Sequence, residues 1–345
     1  MLISAFGIAF CGSGITSAAN AAEVNCGSGQ TIGAAVAKLK PAAGYQTINV
    51  KGACTENVFI PQGLAVSIVG SKGASLAPST GSVTVTVQGK VSVSGLAVTT
   101  GSFTAFNVQN GVVTLVADTV SGAGVGVYAT NNSTLIAQNV AINVGGFAAI
   151  AIYSGSSLEV DGVTPVDGAS GTSLTGAYTA IGCYVGSVTL NALGGPITMI
   201  NSGGDGISLN GCNFTDNVTS GQSISVTNSG GNGIKATGGL LTLTDMNISN
   251  SAGIGLFVVG GGSAFISGGM VITGNGSNAI DAQQNGVVSI FNFGGGVNTV
   301  SEASGNSNVL FGCYQGGKIY VPQISGYITP APTQSNIGCL QVGGP

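Results

Sequence analysis

Apolar and polar residues alternate along most of this chain in short runs, each closed by Gly or Asn. The strings TLVAD, TLIAQ, SLEVD, SVTLN and SISVT, starting at Thr114, Thr134, Ser157, Ser187 and Ser223, carry the alternation, and LTLT, AFIS, VVSIF and KIYVP continue it. A period of two marks strands with one buried face. A second register runs beside it, in which a small residue or Asn precedes the apolar residue that opens a strand. Its members are Ala105-Phe106, Gly124-Val125, Ala149-Ile150, Ala180-Ile181, Gly206-Ile207, Gly233-Ile234, Gly253-Ile254, Ala279-Ile280 and Asn308-Val309. Successive members lie 19 to 31 residues apart. Left-handed hexapeptide helices hold a near-constant coil and propeller blades run about 40 to 45 residues, so variable coils of this length predict a right-handed parallel β-helix.

The pattern is cleanest over residues 203–280, where NSGGDGI, NSGGNGI, NSAGI and GSNAI follow one another. Asn201, Asn228, Asn250 and Asn275 recur just before the strand-opening pair. Asn tolerates the left-handed backbone of a tight corner, and stacked amides can bond along the rod, so these residues are expected to be scaffold. Leu115, Leu135, Leu158, Val188, Ile224 and Leu241 are expected to stack in one inward column. Roughly eleven or twelve coils at about 4.8 Å each predict a rod some 50 to 60 Å long. Longer coils predict loops at 162–176, 210–221 and 291–305. Ile32, Ala35, Val36 and Leu39 recur at helical spacing, predicting a short helix within 28–39 that covers the apolar end of the solenoid.

After that helix come the strand TINV, then Cys54-Thr55-Glu56-Asn57, an apolar strand and the string IVGSKGASL. This order resembles the N-terminal part of secreted right-handed parallel β-helix proteins of the pectin-lyase-like superfamily. The likeness is one of architecture over nearly the whole chain. It implies an all-β solenoid with a capping helix, and in enzymes of that kind a stacked acidic set joined by Arg, Lys or His. No Arg or His occurs in this sequence, and none of its seven Lys falls in the candidate column below. The catalytic residues of such enzymes therefore have no counterparts here.

Composition narrows the field further. Only 5% of the 345 residues are charged and the net charge is −4, which argues against a nucleic-acid partner, because phosphate recognition leans on Arg and Lys. No run reaches the ~20 apolar residues of a membrane-spanning helix. Residues 1–22 read as a cleaved signal peptide ending in Ala19-Asn20-Ala21. The remainder, 23–345, reads as one β-helix domain, with 26–54 forming the N-terminal cap and first coil and 313–345 the C-terminal cap. Secretion or a cell-surface location follows. Outside the leader, which holds Cys11, stand Cys26, Cys54, Cys183, Cys212, Cys313 and Cys339. Six cysteines allow 15 pairings, and sequence position favours Cys26–Cys54, Cys183–Cys212 and Cys313–Cys339. Nothing in their spacing suggests a metal site, and no cofactor motif is present.

Chemistry is expected at the position that follows the inward pair of the second strand: Asp118, Gln138, Asp161, Asn191, Thr227 and Thr244. In one register, Asp118 and Asp161 lie two layers apart, roughly 9 to 10 Å, near the ~6.5 to 9.5 Å of inverting glycosidases. Glu159 shares the face of Asp161. Asp118, Asp161 and Glu159 are thus the candidate catalytic residues, and Gln138, Asn191 and Tyr184 the candidate ligand contacts. Tyr128, Tyr153, Tyr178 and Tyr184 offer sugar-stacking rings. Two readings follow. One is a non-catalytic surface or matrix rod that binds polysaccharide or another surface protein. The other is a divergent polysaccharide-degrading enzyme working through outward acidic residues.

Overall fold

The structure, a computed structural model, describes residues 21–81, 83–162, 171–218, 223–291, 298–302, 310–321, 328–329 and 340–342. The chain winds into a parallel β-helix of about eleven turns, with one short α-helix among the described residues. Each full turn contributes three strands, one to each face of the rod. A representative turn runs Thr134–Gln138 on the first face, Ala141–Val144 on the second and Ala148–Tyr153 on the third. Ser157–Asp161 then returns to the first face and pairs in parallel with Thr134–Gln138. No helix among the described residues is long and apolar enough to cross a membrane.

Corners make this path possible. Asn139 turns the chain from first to second face with φ 51°, and Asn201, Asn228 and Asn250 turn it from second to third with φ 56° to 57°. Asn110, Asn131 and Ser154 do the same from third back to first. The predicted Asn column holds for three members. Gly274 takes the fourth left-handed place, while Asn275 turns inward and accepts a hydrogen bond from the Ser251 N–H at 3.0 Å.

Inside, side chains of like position stack from turn to turn. On the third face the column runs Phe106, Val127, Ile150, Ile181, Ile207, Ile234, Leu256, Ile280 and Phe311. The sequence register therefore slips by two at Val125, Ile254 and Val309, where Val127, Leu256 and Phe311 stand instead. The first-face column is Val113, Leu135, Leu158, Val188, Phe214 and Leu241. Leu115 sits one inward step further on, level with Ala137, and Ile224 belongs to the second face. The first-face strand of that turn is Asn213–Val218, where the coil lengths predict a loop. Strands Thr172–Gly176 and Asn298–Glu302 likewise occupy parts of the other two predicted loops. Within those loops, 163–170, 219–221, 292–297 and 303–305 lie outside the described residues.

The N-terminal end is closed by Ile32–Val36, shorter than the predicted helix and preceded by a 3-10 turn, Cys26–Ser28. Ile32 and Val36 are buried against the first coil. Thr31 caps the helix by accepting from the Ala34 N–H. Glu56 completes the cap, its two oxygens accepting from the Ile32 and Gly33 N–H groups at 2.6 and 2.8 Å. The Cys26–Cys54 disulfide ties this cap to the first coil. Both sulfurs and the Glu56 carboxylate are thus committed, so their proximity serves the cap and not a metal. The second predicted bridge, Cys183–Cys212, is also present. The third involves Cys339, which lies outside the described residues. Residues 1–20 of the predicted leader are outside them too, and strand Ala22–Asn25 begins at the leader's last assigned residue.

Removing the Glu56 carboxylate leaves two helix N–H groups without their partner. Glu56→Ala is expected to lower unfolding free energy by about 1–3 kcal/mol, measured by urea denaturation, while leaving the far-ultraviolet strand signature intact.

Candidate functional site

Half of the positions predicted to share an outward column do so. Gln138, Asp161 and Asn191 align in register on the first face, and Asn217 extends the row in place of Thr227 and Thr244. Thr227 ends a second-face strand, and Thr244 follows the end of Leu240–Leu243. The aligned side chains form an amide ladder. Gln138 Nε2 donates to Asp161 Oδ2 at 2.9 Å, Asn191 Nδ2 to Asp161 Oδ1 at 2.9 Å, and Asn217 Nδ2 to Asn191 Oδ1 at 2.8 Å. Asn191 Nδ2 also donates to Glu159 Oε1 at 2.8 Å. Burial raises the Glu159 carboxyl above its usual range, the neighbouring Asp161 charge adds to this, and the Asn191 amide opposes it.

This pair does not have the geometry of the predicted acid couple. Bonding to one nitrogen keeps the bridged Glu159 and Asp161 oxygens less than about 6 Å apart, short of the ~6.5 to 9.5 Å of inverting pairs and nearer the ~5 to 5.5 Å of retaining ones. The Asn191 amide also fills the space between them, where a sugar carbon would have to sit. The ladder is a satisfied surface network.

Asp118 leaves the column altogether. Ala117, with φ 53°, has already turned the chain off the first face, and Asp118 points into the corner with 1% of its surface exposed. Its oxygens accept from the Leu96 N–H at 2.8 Å and the Val116 N–H at 3.0 Å. Burial pushes its carboxyl up to about 7 despite these two donors, which favour the charged form. Asp216 is a second interior acid, aligned with Leu190 and bonded to the Thr244 N–H, the Thr244 hydroxyl and the Asp245 N–H. Burial pushes it up to about 6. Both carboxyls replace strand pairing where the backbone turns a corner. Neither reaches the surface to act on a substrate.

The third face carries a different feature. Phe103, Tyr128, Tyr153 and Tyr184 belong to four successive turns, and their ring centroids are 5.5, 5.2 and 6.1 Å apart in that order. Phe147 and Tyr178, each just before a third-face strand, stack at 5.3 Å and 18°. Tyr153 and Tyr184 pair at the far ends of those same two strands. Between the two ring pairs the outward positions are Ala151 and Gly182, also paired. A Cβ on Gly182 would stand in ordinary contact with the Phe147 ring, at 3.6 Å, so that ring lies over the strand. Val125, Ala148 and Ala151 form a small apolar cluster beneath, with Tyr128 and Tyr153 packed on it. Four of the rings are open to solvent: Tyr178 is 54% exposed, Tyr184 51%, and Phe103 and Phe147 are exposed as well, while Tyr128 and Tyr153 are half-buried. Six aromatic residues thus pave one face over four turns.

The corner beside this pavement is strained. Val185 directly follows Tyr184 and adopts φ 55° with 52% of its surface exposed. The comparable corners hold Asn110, Ser154, Gly211 and Gly238. A β-branched residue there clashes with its own backbone, and such strain clusters at ligand-contacting sites. The Cys183–Cys212 disulfide staples this turn to the next. Tyr184 was expected as a ligand contact and stands in the pavement, with Tyr128, Tyr153 and Tyr178. Phe103 and Phe147 were missed, because each lies outside the alternating runs and only the three-strand turn brings it alongside the tyrosines.

Comparison with protein-family models, with curated proteins and with solved structures finds no match for this chain.

Two outcomes follow from the site. The folded state holds the Asp118 and Asp216 protons more tightly than the unfolded chain does. Raising pH above the usual 3.8 ionises the unfolded chain first, and stability falls until the folded groups ionise near 6 and 7. Unfolding free energy is therefore expected to drop by a few kcal/mol between pH ~4 and ~7. The double variant Asp118→Asn/Asp216→Asn should flatten that slope. Separately, Val185→Gly is expected to raise unfolding free energy by about 1 kcal/mol, the relief of strain outweighing the entropy that Gly adds to the unfolded chain. Denaturant titration measures both.

Proposed function

We propose that this chain is an exported, non-catalytic β-helix rod that binds polysaccharide through its aromatic face. The observation that carries this reading is the pavement of six rings, of which Phe103, Phe147, Tyr178 and Tyr184 are exposed and Tyr128 and Tyr153 half-buried. Large exposed apolar patches mark binding surfaces, and the faces of sugar rings, lined with C–H groups, pack against aromatic rings while their hydroxyls stay in water. Phenolic oxygens at the rim add hydrogen-bonding capacity without charge.

Other features support an extracellular setting. Two disulfides suit an oxidising compartment. The capping helix, the Cys54-Thr55-Glu56-Asn57 motif and the stacked coils fit the right-handed pectin-lyase-like architecture. Absence of Arg and His and the internally satisfied Glu159–Asn191–Asp161 network favour binding over cleavage.

The test is retention on insoluble polysaccharides with a parallel assay for new reducing ends. Wild type should be retained without releasing sugar. Tyr184→Ala and Phe147→Ala should each weaken retention about tenfold, the equivalent of ~1.4 kcal/mol, and Asp161→Asn should leave it unchanged. Cleavage that Asp161→Asn abolishes would instead make the chain an enzyme.

A further inference from the structure

Resting on that reading, we infer that the ligand is an uncharged, extended, β-1,4-linked glycan lying along the rod axis, with one sugar over each turn. Spacing is the first argument. The four-ring row advances 5.2 to 6.1 Å per turn, set by the ~4.8 Å separation of paired strands. A β-1,4-linked chain is flat and extended, and it advances by nearly that step per sugar. Successive sugars can therefore meet successive rings without strain. An α-1,4-linked chain coils and advances less per sugar, so it falls out of register after one or two rings.

Charge is the second argument. Polyuronates and sulfated glycans carry a negative group on most sugars, and proteins hold them with Arg or Lys. Arg is absent from the chain. Lys235, on the same face, lies two strands beyond Gly182, outside the four-turn pavement. The carboxylate nearest in sequence to a pavement contact is Asp205, next to Gly204, whose added Cβ would touch the Tyr178 ring. A polyanion would meet exposed rings, an acid and no partner. A neutral chain meets no such penalty.

Rigidity is the third. Val185 is held in the left-handed region beside Tyr184, and the Cys183–Cys212 bridge fixes the same turn. Strain retained at an exposed apolar corner points to a contact made there. The pavement is thus bounded by Phe103 at one end and by the Tyr184–Val185 corner at the other, a length of four turns.

The experiment is calorimetric titration of the wild-type chain with cello-oligosaccharides of two to six sugars, with maltotetraose and tetragalacturonate as controls. Affinity should rise with each sugar up to four and level off beyond, while both controls bind at least tenfold more weakly. Val185→Gly, which is expected to be more stable, should lose several-fold in affinity for the four-sugar ligand, so loss of folding cannot explain the loss of binding. Tight binding of tetragalacturonate, or affinity independent of length, would overturn this inference while leaving polysaccharide binding standing. Failure of every polysaccharide to be retained would overturn both. Sedimentation completes the test: a wild-type dimer dispersed by Tyr153→Ala would make the pavement a contact between two copies of the chain and overturn both readings.

Discussion

Parallel pairing between successive turns is the constraint on which everything else in this molecule depends. Each strand can bond only to the strand one turn before and one turn after, so like positions must stack. A column inside must be apolar at every level, as the run from Phe106 to Phe311 is. The chain can return to register only if its corners take left-handed backbone, which explains the Gly and Asn content better than flexibility does. Where pairing breaks at a corner, a buried carboxyl or amide supplies the missing acceptor. Asp118, Asp216 and Asn275 all do this.

The same constraint makes the outer surface three distinct strips. Outward positions also stack, so each face repeats one chemistry over several turns. The first face gathers Gln138, Glu159, Asp161, Asn191 and Asn217 into a bonded ladder. The second offers small uncharged residues such as Thr99, Ser121, Thr175 and Thr227. The third gathers the rings. A low charge density follows from this economy, since like charges stacked at the strand spacing would repel. Only one ion pair, Lys51 with Glu23, occurs among the described residues, and it is exposed.

How far the sequence could be read follows from the period of two. Shifting a strand by one residue exchanges its inner and outer faces, so the alternation reveals which residues are buried. Shifting by two preserves the faces, so the alternation cannot choose between those registers. That ambiguity placed Val125, Ile254 and Val309 two residues early. It also aligned TLVAD with TLIAQ, although Val112–Val116 is the true partner of Thr134–Gln138. Asp118 was thereby put on the surface, beyond a corner that it in fact closes from within. The second face was hard to see because several of its strands are only three or four residues long, and Asn213–Val218 was hidden by the buried acid in its middle. Disulfides Cys26–Cys54 and Cys183–Cys212 were legible because each spans about one turn. The pavement was half legible: its tyrosines stood out, while Phe103 and Phe147 join them only once each turn is known to carry three strands.

The proposed glycan binding places the ligand on the third face. Carbon-13 labelling of Phe and Tyr rings, followed by nuclear magnetic resonance titration with cellotetraose, tests it most directly. Shifts are expected to concentrate on Phe103, Tyr128, Phe147, Tyr153, Tyr178 and Tyr184, with Tyr45, Tyr314 and Phe265 unmoved. Shifts confined to Phe265 and Tyr320 on the first face, or no ring shifts at saturating ligand, would contradict it.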